Sequence, residues 1–256
     1  MSNDPIWKPL VDELDRWRLA GRQPRFWLRD DDAIVPTDLL DRLLATTAKS
    51  GVPLALAVIP AHTDEQLASR LSSEPHATVL VHGWAHENHA PEGQKKQELG
   101  LHRPEHAVGA ELAAGLALLQ RLHGPNAAPV LVPPWNRIDR ALIPLLPQLG
   151  FSALSVFGQP FPAPLAIVNS TVDIIDWHGT RGGRDHGVLV GEIVAQLQAD
   201  FSETSAPIGI LSHHLVHDDA AWTFLEELFA VTNKHAPGAW LPVTDLISQG
   251  AVSRRP

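Results

Sequence analysis

The sequence predicts an α/β fold in which one parallel sheet curls into a closed or nearly closed barrel. Three observations predict it. Seven short apolar runs alternate with amphipathic helical stretches, which is the signature of crossover connections. A length of 256 residues suits one such barrel. The polar clusters fall just past the apolar runs, at the strand ends where parallel barrels gather their sites. Residues 1–256 read as one domain, with 1–21 as an outer N-terminal helix. An open doubly wound sheet is the alternative, but the first strand lacks the Gly-rich turn of nucleotide folds.

Taken in order, Trp7, Leu10, Val11, Leu14 and Trp17 repeat at helical spacing and stop before Gly21. Arg25 to Leu28 is a short strand that runs into Arg29-Asp30-Asp31-Asp32. Leu39 to Leu44 is helical and Pro53 to Ile59 a strand. Thr63 to Leu71 is a helix with Thr63 and Gln66 as its capping box. Ala77 to Val81 is a third strand and delivers His82. Glu105 to Leu122 forms a helix ended by Gly124-Pro125, and Val130 to Val132 a strand stopped by Pro133-Pro134. Ser152 to Phe157, Val172 to Ile175 and Ile208 to Leu211 are the remaining strands. Val188 to Phe201 is helical, and so is the segment carrying Trp222, Leu225, Leu228 and Phe229.

Composition narrows the function. Apolar residues make up 44% of the chain and charged ones 19%, enough for a buried core. A net charge of −9 argues against nucleic acid as a partner. The absence of cysteine excludes thiolate metal sites and a cysteine nucleophile. No run reaches the roughly 18 apolar residues of a membrane span, and Met1 to Pro5 lacks the basic start of an export signal. The expectation is a cytoplasmic protein that acts on a small molecule or oligosaccharide, away from membranes. Fourteen histidines are a heavy use of the residue that both binds metals and moves protons.

His82 and His86, spaced by four directly after a strand, can turn toward one ion if the chain curls through a helical turn. Alone such a pair is more often a loop feature. Its company argues otherwise: three adjacent carboxylates at a neighbouring strand end repel one another unless a cation compensates them. One carboxylate can complete an Asp-His-His site with positions left for water, while another stays free. The other strand-end clusters are Pro133-Pro134-Trp135-Asn136-Arg137, Asp173 with Asp176-Trp177, and Ser212-His213-His214.

In this order the motifs resemble the polysaccharide deacetylase family of carbohydrate esterases, over Phe26 to His214. The resemblance implies a distorted (β/α)7 barrel and metal-dependent hydrolysis of an N-acetyl or related acyl group on a carbohydrate or small amide. It implies His82 and His86 as metal ligands, with zinc the first choice of ion and cobalt, nickel or manganese as others. Aligning Arg29 two places before the family's acidic pair makes Asp31 the general base and Asp32 the third ligand. A register one residue earlier would use Asp30 and Asp31. Leu211-Ser212-His213 matches the final motif, so His213 is the general acid and His214 its substitute or a substrate contact.

Asp176 is assigned to orienting His213 or an arginine. Trp84, Pro134, Trp135, Arg137 and Trp177 are candidates for holding substrate. Lys95, Lys96, Glu98 and Arg103 are placed at the rim, and 178–184 as a basic loop beside it. Two positions depart from the family: Ala33 replaces the glycine after its acidic pair, and Val132 stands where its base-contacting arginine belongs, so Arg29 or Arg137 has to supply that contact. Failing that, the barrel would bind metal or glycan without turnover. A hydrolase of cyclic amides is a further alternative.

Overall fold

The computed structural model describes residues 5–199, 201 and 206–252. Readings that fall on residues 1–4, 200, 202–205 and 253–256 lie outside the described part. The strands are β1 (Phe26–Ala33), β2 (Leu54–Val58), β3 (Ala77–Val81), β4 (Ala127–Leu131), β5 (Ala153–Leu154), β6 (Ala166–Ile167), β7 (Val172–Asp173) and β8 (Ile208–Ser212). The helices are α1 (Lys8–Leu19), α2 (Asp38–Ser50), α3 (Glu65–Leu71), α4 (Glu105–His123), α5 (His186–Ala199), α6 (Asp219–His235) and α7 (Val243–Val252). All strand pairs are parallel, in the order β6-β5-β4-β3-β2-β1-β8-β7.

Strand alternation divides the apolar side chains into two layers. Phe26, Leu28, Leu54, Leu56, Val58, Val79, Val81 and Ile210 face the helices in the larger core. Trp27, Ala55, Ala57, Leu80, Val130, Val132 and Ala153 form a narrow inner layer. Val243 and Leu246 of α7 join that inner layer, and the preceding segment pairs with the start of β1 through Phe26 N–H to Ala239 O and Leu241 N–H to Phe26 O. Helix α7 therefore closes the end of the barrel away from the polar rim. The outer helix α1 packs on α5 and α6, with Trp7 stacked on Phe224 at 5.5 Å. No helix among the described residues is long and apolar enough to cross a membrane.

The two sheet edges, β6 and β7, are consecutive in the chain. Between them Val168 and Ser170 donate to Leu154 O and Val156 O on one side, while Thr171 donates to Gly209 O on the other. One stretch of chain thus changes partner within four residues and seals the ring. Asn169 anchors this crossing by accepting from Val156 N–H and donating to Gly158 O and Gln159 O.

Several expectations are adjusted. β1 does not stop at Leu28 but continues through the aspartates to Ala33, because those side chains find partners on both faces of the sheet. The stretch from Ser152 to Phe157 pairs as a strand only at Ala153 and Leu154, and β6 adds an eighth strand too short to register as a pattern. Helix α3 is capped by Asp64, which accepts from Gln66 N–H at 2.8 Å, rather than by Thr63. A carboxylate at that position is the stronger cap, since it also meets the positive end of the helix.

Candidate active site and metal centre

The acidic triplet is sorted by one backbone irregularity. Arg29 pairs with Ala55 and Asp30 with Leu56, but Ala33 pairs with Val58, so β1 carries one residue more than β2 between these points. This bulge falls at Asp31 and Asp32, and Asp32 takes φ 75°. Plain alternation would set Asp32 on the face of Asp30. The bulge re-aims it toward β3, and three neighbouring carboxylates end in three different environments.

Asp30 is completely buried and points to the next strand. Its carboxylate accepts from Ser212 Oγ at 2.6 Å, from His214 N–H at 2.9 Å and from His214 Nδ1 at 2.5 Å. Burial opposes its charge, but His214, with His217 and Ser212, holds its pKa below the usual range. The reciprocal effect raises His214, against its own burial. His214, only 1% exposed, therefore braces β8 against β1 from beneath the rim and has no surface to offer a substrate. The earlier register named Asp30, which these contacts hold apart from the group formed by Asp32, His82 and His86.

Asp31, 2% exposed, faces the barrel interior with Arg29 two residues before it. Arg29 Nη2 donates to Asp31 Oδ2 at 3.0 Å. Its Nε lies 3.0 Å from Asp31 Oδ1, but out of line for a hydrogen bond, so that oxygen has no aligned donor. The guanidinium is fixed by Ser155 Oγ at 2.8 Å and Asn136 Oδ1 at 2.6 Å. The arginine beside the carboxylate thus comes from β1, and Val132 leaves no gap. Arg137 points elsewhere, its Nη1 donating to Lys96 O.

Asp32, His82 and His86 come together, with one ligand atom from each lying within 4.8 Å of the others. Asp32 Oδ1 is 3.0 Å from His82 Nε2 and 3.4 Å from His86 Nε2. Val132 O accepts from His82 Nδ1 at 2.9 Å, which orients the ring so that Nε2 faces Asp32. Asp32 is partly buried, yet His82, followed by His213 and His86, holds its pKa low. Burial would depress His82, but Asp31 and Asp32 raise it. His86 is lowered by burial and by the neighbouring His82. This donor set, with the His82 ring oriented from behind, fits a divalent cation.

No helical turn aligns the two histidines; a bend does. Gly83 at φ 61° and His86 at φ 59° reverse the chain, and Glu98, 1% exposed, fills the bend. Its carboxylate accepts from the N–H groups of Trp84, Ala85 and Glu87 at 3.1, 2.7 and 3.4 Å. A Cβ at residue 83 would lie 2.0 Å from Glu98 Oε2 and 2.6 Å from Pro134. Glu98 is thus not a rim residue but the core of the bend that carries His82 and His86. Its place fourteen residues after Trp84 left no sequence signal. Pro134 is buried against this bend, and the backbone of Trp84 is held by Glu98 and Ala61.

His213 lies on the other side of Asp31, with Nε2 3.9 Å from Asp31 Oδ2 and its buried Nδ1 without a hydrogen-bond partner. The edge of Trp177 packs on its ring at 4.7 Å. Trp177 is in turn held by Asp173, which accepts the indole N–H at 2.9 Å and Ile175 N–H at 2.9 Å. Burial raises the pKa of Asp173 in spite of the nearby His213. Asp176 is not the carboxylate that reaches this region. It accepts from Gly179 and Thr180 N–H and so shapes the 178–184 turn. Trp135 packs on His86 at 4.3 Å.

Asp32, His86, Trp135 and Asn136 are four of the five described non-glycine residues with positive φ. Backbone strain of this kind persists where surrounding contacts over-determine it, and it gathers at functional sites. The arrangement can hold a cation, keep a carboxylate beside it and present an imidazole across from that carboxylate.

No family model and no curated protein matches the sequence. Solved structures do match its fold. One is a protein from Mycobacterium smegmatis assigned as a polysaccharide deacetylase, with a TM-score of 0.69 and 16% identity over 92% of this chain and 93% of that one. Another is a peptidoglycan deacetylase from Bacillus subtilis, with a TM-score of 0.58 and 14% identity over 91% and 93%. A family 4 acetyl xylan esterase from Clostridium thermocellum, solved with a cobalt ion, gives 0.53 and 16% over 88% and 90%. With Asp32, His82 and His86 gathered at the carboxyl ends of the strands, the chain has the distorted barrel fold of the polysaccharide deacetylases.

Proposed function

We propose that the protein is a metal-dependent hydrolase that removes an N-acetyl or related acyl group from a carbohydrate or small amide. The observation that carries this is the shared neighbourhood of Asp32, His82 and His86 with a separate, arginine-held carboxylate, Asp31. Those three residues would hold a divalent ion, zinc by preference, with cobalt, nickel or manganese as substitutes. Bound there, the ion would supply Lewis acidity, easing water toward deprotonation and drawing charge from an acyl carbonyl.

The chain's own groups do the rest. Asp31 takes a proton from the attacking water through the oxygen that has no aligned donor. Arg29 keeps that carboxylate oriented. His213 gives its proton to the departing nitrogen, and Trp177 restricts the imidazole to one plane. Trp135 forms a wall beside His86 against which a sugar ring can lie. The Arg29 contact speaks for turnover and against a barrel that merely binds, because the position left open by Val132 is functionally filled.

Metal content and acetate release from N-acetyl sugars test the proposal together. The wild type should bind about one ion and release acetate. His82→Ala/His86→Ala should lose both. Asp31→Asn and His213→Ala should keep the ion while turnover falls roughly 10²- to 10⁴-fold, the range of acid–base groups. Metal binding without release over a panel of amides would overturn the hydrolase assignment.

A further inference from the structure

We infer that the protein recognises an anionic group on its substrate in a cationic groove beside the catalytic centre. The groove, of about 380 Å³, is lined by Lys95, Arg137 and Arg140, with Gln97 and Asn136 adding amides and Phe161 an apolar wall. No acidic side chain lines it. Among the described residues, no carboxylate forms an ion pair with Lys95, Lys96, Arg137 or Arg140, and the nearest in sequence, Asp139, accepts from Ala141 N–H. In a chain of net charge −9, three cations lining one groove without a carboxylate partner, with Lys96 near it over Trp135, are not a by-product of overall composition. A groove lined by cations and free of carboxylates favours an anionic group over a neutral one.

The groove is joined to the chemistry by two adjacent residues. Asn136 forms part of its lining and also accepts from Arg29, the residue that holds Asp31. Trp135 lies between Lys96, 5.8 Å from the ring centre, and His86 on the metal side. A substrate with its acyl carbonyl at the metal centre and its ring along Trp135 would carry a substituent into the groove. The volume accepts a carboxylate or phosphate with a few attached atoms, at the lower end of small-molecule sites. The ligand class is therefore an acylated amino sugar or amide bearing a carboxylate or phosphate, in preference to a neutral polymer.

This deepens the proposed hydrolase function and rests on it, so the test separates the two. In the metal-loaded enzyme, kcat/KM is measured for N-acetylglucosamine, its 6-phosphate and N-acetylmuramic acid. The charged substrates should be preferred by at least about tenfold, the preference should shrink as salt rises, and Lys95→Gln/Arg140→Gln should cut the charged-to-neutral ratio about tenfold. The larger gain identifies phosphate or carboxylate as the group taken. A ratio near one in the wild type, or one unchanged in the variant, overturns the groove while leaving hydrolysis intact. If no substrate is cleaved, the hydrolase assignment falls, and the groove is judged by calorimetric titration of the metal-free full chain. Glucuronate or glucose 6-phosphate binding more tightly than glucose, and more weakly in the variant, supports it; equal binding overturns it.

Discussion

The Arg29–Asp31 pair shows why a buried ion pair is weak as a stabiliser and strong as a constraint. Replacing both partners by apolar residues would cost little, but removing one leaves the other charged in the barrel interior, an effect worth about 3–5 kcal/mol. Arg29→Met should therefore lower the free energy of unfolding in urea by about that amount. Arg137→Met, whose cation is only half-buried, should stay within about 1 kcal/mol. His217 gives a second test. It is buried against Trp222, with its ring 4.4 Å away and neither nitrogen bonded. Burial pushes its pKa down from 6.5 to about 4; His214 and His213 add to the shift, and Asp30 and Asp218 oppose it. The unfolded chain takes up the proton first as pH falls, so this group costs nothing above about pH 6.5. It removes up to about 3 kcal/mol of stability between there and pH 4. In urea unfolding at pH 7, 5 and 4, His217→Phe should lose less stability with acidification than the wild type.

At the scale of elements, His82 and His86 depend on a bend that their own spacing does not encode. Glu98 supplies acceptors to three N–H groups of that bend, and an amide can replace only part of this, because its NH2 would face a backbone donor. Glu98→Gln should weaken zinc or cobalt affinity about 10- to 100-fold, the usual cost of losing a group that supports metal ligands. Thermal unfolding of the metal-free protein should move much less. His82, His86 and the acidic triplet were legible in the sequence because each follows an apolar strand. That Asp32 rather than Asp31 lies beside the histidines was to be expected only through the family resemblance, since the bulge that places it there depends on how β1 meets β2. Glu98, Asp173 and the Asp30–His214 brace were not legible as partners. Each acts across the fold or through backbone groups, and no local pattern records such contacts. β6 and α7 escaped for a related reason, being short segments whose structure is imposed by neighbours.

For the whole molecule, binding of the proposed cation by the native state alone would link metal supply to stability. Zinc at about 100 times its dissociation constant should add about 2.7 kcal/mol. The melting temperature should rise on zinc addition and return on chelation, and His82→Ala/His86→Ala should show neither change. The parallel barrel was predicted from alternation and length, and the inner and outer layers fall where that alternation puts them. How the ring closes was not predictable, because it depends on the crossing anchored by Asn169. That crossing has a consequence for behaviour in crowded solution. A curled sheet with two unpaired margins would invite strands from other molecules to dock and grow. Here both margins are two residues long and belong to one uninterrupted thread, so covalent continuity does the work that lysines or prolines do in other sheets, and fibre-like assembly finds no template.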